Sequence, residues 1–94
     1  MCIEDFHGPH PDPPDKGCTR IDWREPEGRA VSIRVRAHTC DREPTRYELC
    51  VAGGLSHIRR TRRTSAGDQV RESPWVRMPE GQRLWDDLLS GRAR

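Results

Sequence analysis

The sequence predicts an α+β fold: an antiparallel sheet of three to four strands, one short C-terminal helix, and an extended Pro-rich N-terminal segment. Three observations predict it. Residues 30–38 and 46–52 alternate apolar and polar side chains with the two-residue period of half-buried strands. Gly53-Gly54 then divides the second run from a third, as a two-residue hairpin loop does. Near the end, Leu84, Trp85, Leu88 and Leu89 recur at helical spacing.

The elements follow in order. Residues 1–28 contain Pro9, Pro11, Pro13 and Pro14, which fix φ and remove backbone donors, so this stretch is extended. It holds seven acids against three bases, a net −4, and is set apart from a small α+β domain over residues 29–94. In the first strand Val31, Ile33, Val35 and Ala37 point one way, and Ser32, Arg34, Arg36 and His38 the other. Asp41 to Thr45 reads as a turn. With Gly53 and Gly54 as the loop, Ala52 faces Leu55, Cys50 faces His57 and Leu49 faces Ile58. Leu49 and Ile58 then belong to the core face, and Cys50 and His57 to the opposite one. Residues 55–64 are the return strand, 65–69 a turn, and 70–78 a short fourth strand interrupted by Pro74. Pro79 and Glu80 suit the first turn of a helix and Gly91 its end. So short a helix must pack on the sheet to persist.

The chain has 94 residues, 32% of them hydrophobic and 34% charged, which suits one domain with a marginal core. A dimer interface, a metal or a partner would help to stabilise it. Sixteen Arg against one Lys, with eight Pro and eight Gly, point to a GC-rich genome such as an actinobacterial one. No window is apolar enough to span a membrane, and the acidic start Met1-Cys2-Ile3-Glu4-Asp5 is not a secretory signal. The expected location is the cytoplasm, where Cys2, Cys18, Cys40 and Cys50 are reduced thiols or metal ligands. Export would instead favour two disulfides.

Residues 29–78 carry eleven Arg against five acids, a net +6. The densest run is Arg59-Arg60-Thr61-Arg62-Arg63. Arginine forks match phosphates, so Arg34, Arg36, Arg59 and Arg62 are candidate nucleic-acid contacts. Against this, strand neighbours point to opposite faces, and no aromatic residue interleaves the run for base stacking. The pI of 8.5 is also modest for a nucleic-acid footprint. A solvated strand end that discourages edge-to-edge aggregation is the favoured reading of the run. The acidic segment is placed to fold over these strands or mask them.

Two quartets have zinc-ligand chemistry. One is Cys2, His7, His10 and Cys18; the other is His38, Cys40, Cys50 and His57, brought together by the hairpin register. Neither has the Cys-x-x-Cys knuckle, so the cofactor expectation is none, with zinc as the alternative. Cys50 beside His57 also has the residue types of an activated nucleophile, but nothing nearby reads as an oxyanion hole. Trp85 fits the core under the helix, while Trp23 and Trp75 lie in irregular segments, where they cap the sheet or serve as interface anchors.

Leu49-Cys50-Val51, Val70-Arg71-Glu72-Ser73 and Leu84-Trp85-Asp86-Asp87-Leu88-Leu89 resemble elements of the BldB-like small actinobacterial proteins that accompany helix-turn-helix regulators. The resemblance covers residues 47–91; the glycine hairpin with its arginine-rich strand and the Pro-rich N-terminus lie outside that pattern. It implies a non-enzymatic regulator that self-associates or binds a transcription factor, and it supplies no catalytic residues. The leading expectation is a non-enzymatic regulatory or adaptor protein that binds a protein partner, possible as a homodimer. Its partner face would be the helix and the Trp75 region: Trp75, Trp85 and Leu88. The alternatives are an arginine-rich nucleic-acid-binding domain and a zinc-stabilised module.

Overall fold

A computed structural model describes residues 8–26, 32–40 and 42–94. Among these residues the elements are β1 (Arg34–His38), β2 (Thr45–Ala52), β3 (Leu55–Thr64), β4 (Gly67–Glu72), β5 (Val76–Arg77) and α1 (Met78–Leu89). The strands form one antiparallel sheet in the order β1-β2-β3-β4, with β5 also paired to β3. The α+β class is as expected, and the strand expected over residues 70–78 is split between β4 and β5. Pro74 causes the split, since it has no N–H to donate to β3. Ser73 bridges the gap: its N–H donates to the Ile58 carbonyl (2.9 Å) and its Oγ accepts from the Ile58 N–H (2.7 Å).

The β2–β3 register is the expected one, with Ala52 opposite Leu55, Cys50 opposite His57 and Leu49 opposite Ile58. Gly53 (φ 56°) and Gly54 (φ 81°) both take the positive φ of a primed turn, which matches the strand twist. The expected alternation of β1 is interrupted. A bulge between Val35 and Ala37 sets Val35 opposite Cys50 but Ala37 opposite Leu49. One extra residue, Arg36, therefore moves Val35 off the core face and leaves Ala37 on it. Val31 lies outside the described residues.

Helix α1 covers one face of the sheet, here called the helix face; the other is the open face. Leu49, Ile58, Trp85, Leu88, Ile21 and Ala93 form the core, with Trp23, Ala37, Tyr47, Leu84 and Leu89 packed around it. Gly81 lies on the buried side of α1, where a Cβ would overlap the Ser56 hydroxyl, so the bare backbone lets helix and strand approach. The helix ends at Ser90, whose N–H bonds the Asp86 carbonyl, followed by Gly91 in the left-handed region.

The Pro-rich segment lies on the domain. Its prolines cannot donate, so Asp12 and Asp15 between and after them do, to the carbonyls of Leu89 (2.8 Å) and Gly91 (2.7 Å). The Cys40 N–H donates to the Pro9 carbonyl (3.0 Å). Further along, Thr19 pairs with Ala93, Ile21 enters the core, and Arg24 pairs with Glu72 beside β4. An ion pair from Glu25 to Arg71 (3.2 Å) is where this acidic segment meets a basic strand.

Candidate functional site

The open face carries a buried polar layer. Directly opposed residues share a face, so Glu48 lies beside Arg59 and Cys50 beside His57. Glu48 is 6% exposed. Its carboxylate accepts from Arg59 Nε at 2.9 Å and pairs with Arg46 Nη2 at 3.2 Å. Burial alone would raise the Glu48 pKa, but the two guanidiniums outweigh it and hold the carboxyl below its ordinary range. In the next row the His57 and Trp75 rings stack at 4.0 Å and 9°. His57 is 1% exposed, and its Nε2 lies 4.0 Å from the Glu72 carboxylate.

Cys50 is sealed in this layer, its thiol aimed at the Glu48 carbonyl. Burial pushes the Cys50 pKa up to about 11, with Arg59 opposing and the carboxylates of Glu48 and Glu72 adding to the rise. The register does place Cys50 beside His57, yet a sealed, protonated thiol is the reverse of an activated nucleophile.

Toward the hairpin end the open face turns apolar. Val35 (44% exposed) and Leu55 (36%) are the exposed large hydrophobic residues among those described. Val35 faces Cys50, and Leu55 faces Ala52 two residues further along β2. Trp75, half-buried on His57, belongs to the same face. Exposed arginines adjoin both: Arg36 follows Val35, and Arg77 lies opposite Leu55.

The helix face carries a second feature beyond the end of α1. Tyr47, Arg60 and Arg71 stand side by side on three strands, and Thr45, Arg62 and Gln69 form the next row. The Arg60 guanidinium lies 4.8 Å over the Trp23 ring, which is 5.9 Å from Tyr47. Burial and then the cations Arg62 and Arg71 lower the Arg60 pKa. Burial raises that of Tyr47 against the pull of Arg60 and Arg62. Beside this cluster a cleft of about 310 Å³ is lined by Pro11, Pro13, Pro44, Tyr47, Leu88, Ala93 and Arg94.

These positions correct several expectations. Trp85 and Leu88 are each only 4% exposed and belong to the core, so of the expected partner residues Trp75 alone lies toward the surface. The four expected phosphate contacts do not converge. Arg59 is held by Glu48 on the open face, while Arg62 lies on the helix face. Arg34 faces Val51 and Arg62 faces Thr45, at opposite ends of β2 and roughly 20 Å apart along the strand. The zinc quartet fails chemically. Cys40 is disulfide-bonded, so it is no ligand and no reduced thiol. His38 Nδ1 is bonded to the Thr39 carbonyl, and His57 is stacked on Trp75. Of the other quartet, Cys2 and His7 lie outside the described residues and His10 pairs with Glu43 at 2.6 Å. Among the described residues no three His, Cys, Asp or Glu side chains are grouped to hold a metal. Cys18 and Cys50 are free thiols.

The Tyr47–Arg60 and Glu48–Arg59 pairs were missed, although the glycine-hairpin register implies both. Trp23 carried no such signal, because it arrives from a distant segment. No described helix is long and apolar enough to cross a membrane. Comparison of the chain with family models, curated proteins and solved structures finds no match.

Proposed function

We propose that the protein is a small non-enzymatic binding module that docks a protein partner on the open face of its sheet. The observation that carries this is the position of Val35 and Leu55, both exposed, beside half-buried Trp75. Trp and Arg are among the residues most enriched in binding hot spots, and the aliphatic neighbours extend the apolar contact around Trp75. Arg36 and Arg77 next to this patch favour a partner segment with an apolar anchor and acidic flanks. A second copy would bring the same cations against themselves, which favours a different protein over a homodimer. The protonated thiol of Cys50 supports the non-enzymatic reading. The resemblance of residues 47–91 to BldB-like regulators supports a transcription regulator as the partner. A cytoplasmic location remains the proposed setting, and the Cys40 disulfide, a bond that oxidising compartments favour, is the observation against it.

The test has two stages. Proteins captured on the wild-type chain are compared with those captured on Leu55→Asp and on Arg62→Ala, and one identified protein is then purified for titration. The expected result is a partner that Leu55→Asp binds at least tenfold more weakly, that Arg62→Ala binds normally, and that survives high salt. Equal binding by Leu55→Asp overturns the proposal. So does a wild-type self-association that Leu55→Asp abolishes, since it makes the occupant a second copy.

A further inference from the structure

From the helix-face cluster we infer a second site, one that binds a nucleotide unit: phosphate on Arg60, Arg62 and Arg71, ring in the adjoining cleft against Tyr47. It is independent of the protein-docking face, which lies on the other side of the sheet.

The arginines come together through register. Arg60 and Arg71 are directly opposed, and Arg62 is two residues from Arg60 on the same strand and face. Side chains at these positions have Cβ atoms roughly 5–7 Å apart, so three guanidiniums can reach one tetrahedral anion. Like charges directly opposed on a sheet repel, and a bound anion would relieve that repulsion. The local neutralisation is slight. Arg71 pairs with Glu25, but that carboxylate is 77% exposed and easily displaced. Arg60 stacks on Trp23, and its buried Nε has no hydrogen-bond partner among the described residues. Thr45 and Gln69 flank Arg62 in the outer row and add a hydroxyl and an amide. Guanidinium forks in such an arrangement suit phosphate oxygens.

The cleft supplies the other half of the ligand. Tyr47 and Thr45 line it and also border the arginines, so the two features share a wall. A volume of about 310 Å³ lined by prolines and a tyrosine suits one flat ring rather than a long polymer. Asp12 and Glu43 stand at its rim, Glu43 paired with His10. Arg94 also lines the cleft. The carboxylates accept hydrogen bonds from ribose hydroxyls and exocyclic amines, and three arginines on the sheet outnumber the one in the cleft, which favours the phosphate on the sheet. The separation of ring and phosphate sites is one to two strand spacings, roughly 5–10 Å, which a nucleotide spans. A free mononucleotide and one residue of a single strand present the same unit.

The experiment titrates the full chain with AMP, with inorganic phosphate and with a ten-residue single-stranded oligonucleotide. The readouts are Trp fluorescence and amide shifts of Tyr47, Arg60 and Arg62. Expected are saturable shifts with AMP, at least tenfold weaker binding of AMP than wild type by Arg62→Ala, and at least fivefold weaker binding of phosphate than of AMP. Arg62 is exposed, so that variant should keep the wild-type melting curve. Leu55→Asp should bind AMP as wild type does. Oligonucleotide binding tighter than AMP and steeply salt-dependent assigns the unit to a strand; equal binding assigns it to the free nucleotide, and both support the site. No shift at millimolar AMP, undiminished binding by folded Arg62→Ala, or phosphate binding as tight as AMP overturns the inference.

Discussion

Gly81→Ala reverses the sign that helix propensity gives it. In an exposed helix interior this change stabilises by about 1 kcal/mol. Here the added Cβ would overlap the Ser56 hydroxyl and lie 2.8 Å from Ser56 Cβ, while meeting Val76 Cγ2 at an ordinary 3.7 Å. The hydroxyl can rotate away, but the Ser56 Cβ is fixed by the β3 backbone and is 1% exposed. The helix must therefore lift from the sheet. Overpacking of this kind costs ~1–3 kcal/mol, and a contact fixed by two backbones falls at the upper end. Subtracting the propensity gain leaves a net loss of about 2 kcal/mol, or a fall in Tm of roughly 10 °C for a domain of this size. Urea unfolding followed by Trp fluorescence measures the loss. The cycle is closed with Ser56→Gly, which removes both offending atoms. In that background Gly81→Ala should be neutral or stabilising, a coupling of about 2 kcal/mol. A stabilised single variant, or the same loss in both backgrounds, would refute the packing argument.

Further outcomes follow from the buried groups and the cysteines. Trp85→Ala should cost ~3–5 kcal/mol in urea unfolding, because the ring is 4% exposed in the core; wild-type stability would return Trp85 to the surface. Glu48→Gln removes the carboxylate that Arg46 and Arg59 share, and since those side chains are 36% and 32% exposed and Arg59 also faces Glu72, the cost should be about 2 kcal/mol rather than the full buried-pair penalty. The Glu48 pKa is depressed on folding, so its contribution is present above the unfolded value and disappears as pH falls through the folded one; a gap between wild type and variant that persists at pH 2 would contradict this. The Cys50 thiol stays protonated on folding to about 11, so between pH 9.0 and that value the unfolded state holds fewer protons and stability should fall with rising pH, a slope that Cys50→Ser removes. At neutral pH an alkylating reagent should label Cys18 readily, Cys50 only after unfolding and Cys40 only after reduction; rapid labelling of native Cys50 would contradict its burial.

The parts of the fold legible in the sequence were those set by short-range rules. Gly53-Gly54 marks a two-residue loop, and counting outward from it reproduces every pair tested in β2 and β3. The spacing of Leu84, Trp85, Leu88 and Leu89 gave the helix and its buried side. That same stripe should have removed Trp85 and Leu88 from the expected partner face, since a residue cannot serve the core and a surface at once. The bulge at Arg36 was not legible, because the alternation of residues 31–38 runs through it unbroken and only pairing with β2 reveals the extra residue. Trp23 illustrates the same limit. Its contacts with Arg60 and Tyr47 join residues far apart in sequence, brought together by the docking of residues 8–26 along the C-terminal residues and β4.

A sheet with one helix has one covered face, and this chain treats the other in an unusual way. The open face is sealed largely by polar groups that neutralise one another: Glu48 between Arg46 and Arg59, His57 under Trp75. Strand parity makes this possible by splitting the run Arg59-Arg60-Thr61-Arg62-Arg63. Arg59 and Arg63 go to the open face, opposite Glu48 or Glu72 and Asp68. Arg60 and Arg62 go to the helix face, where the residue opposite Arg60 on β4 is another arginine, Arg71. A run that looks like one basic patch is thus two opposite electrostatic environments. The neutralised face keeps its apolar end available and supports docking of a protein. The helix face concentrates positive charge next to a tyrosine-lined cleft and supports binding of an anion. The modest net charge of +2 conceals this division, because the balance is struck face by face rather than along the chain.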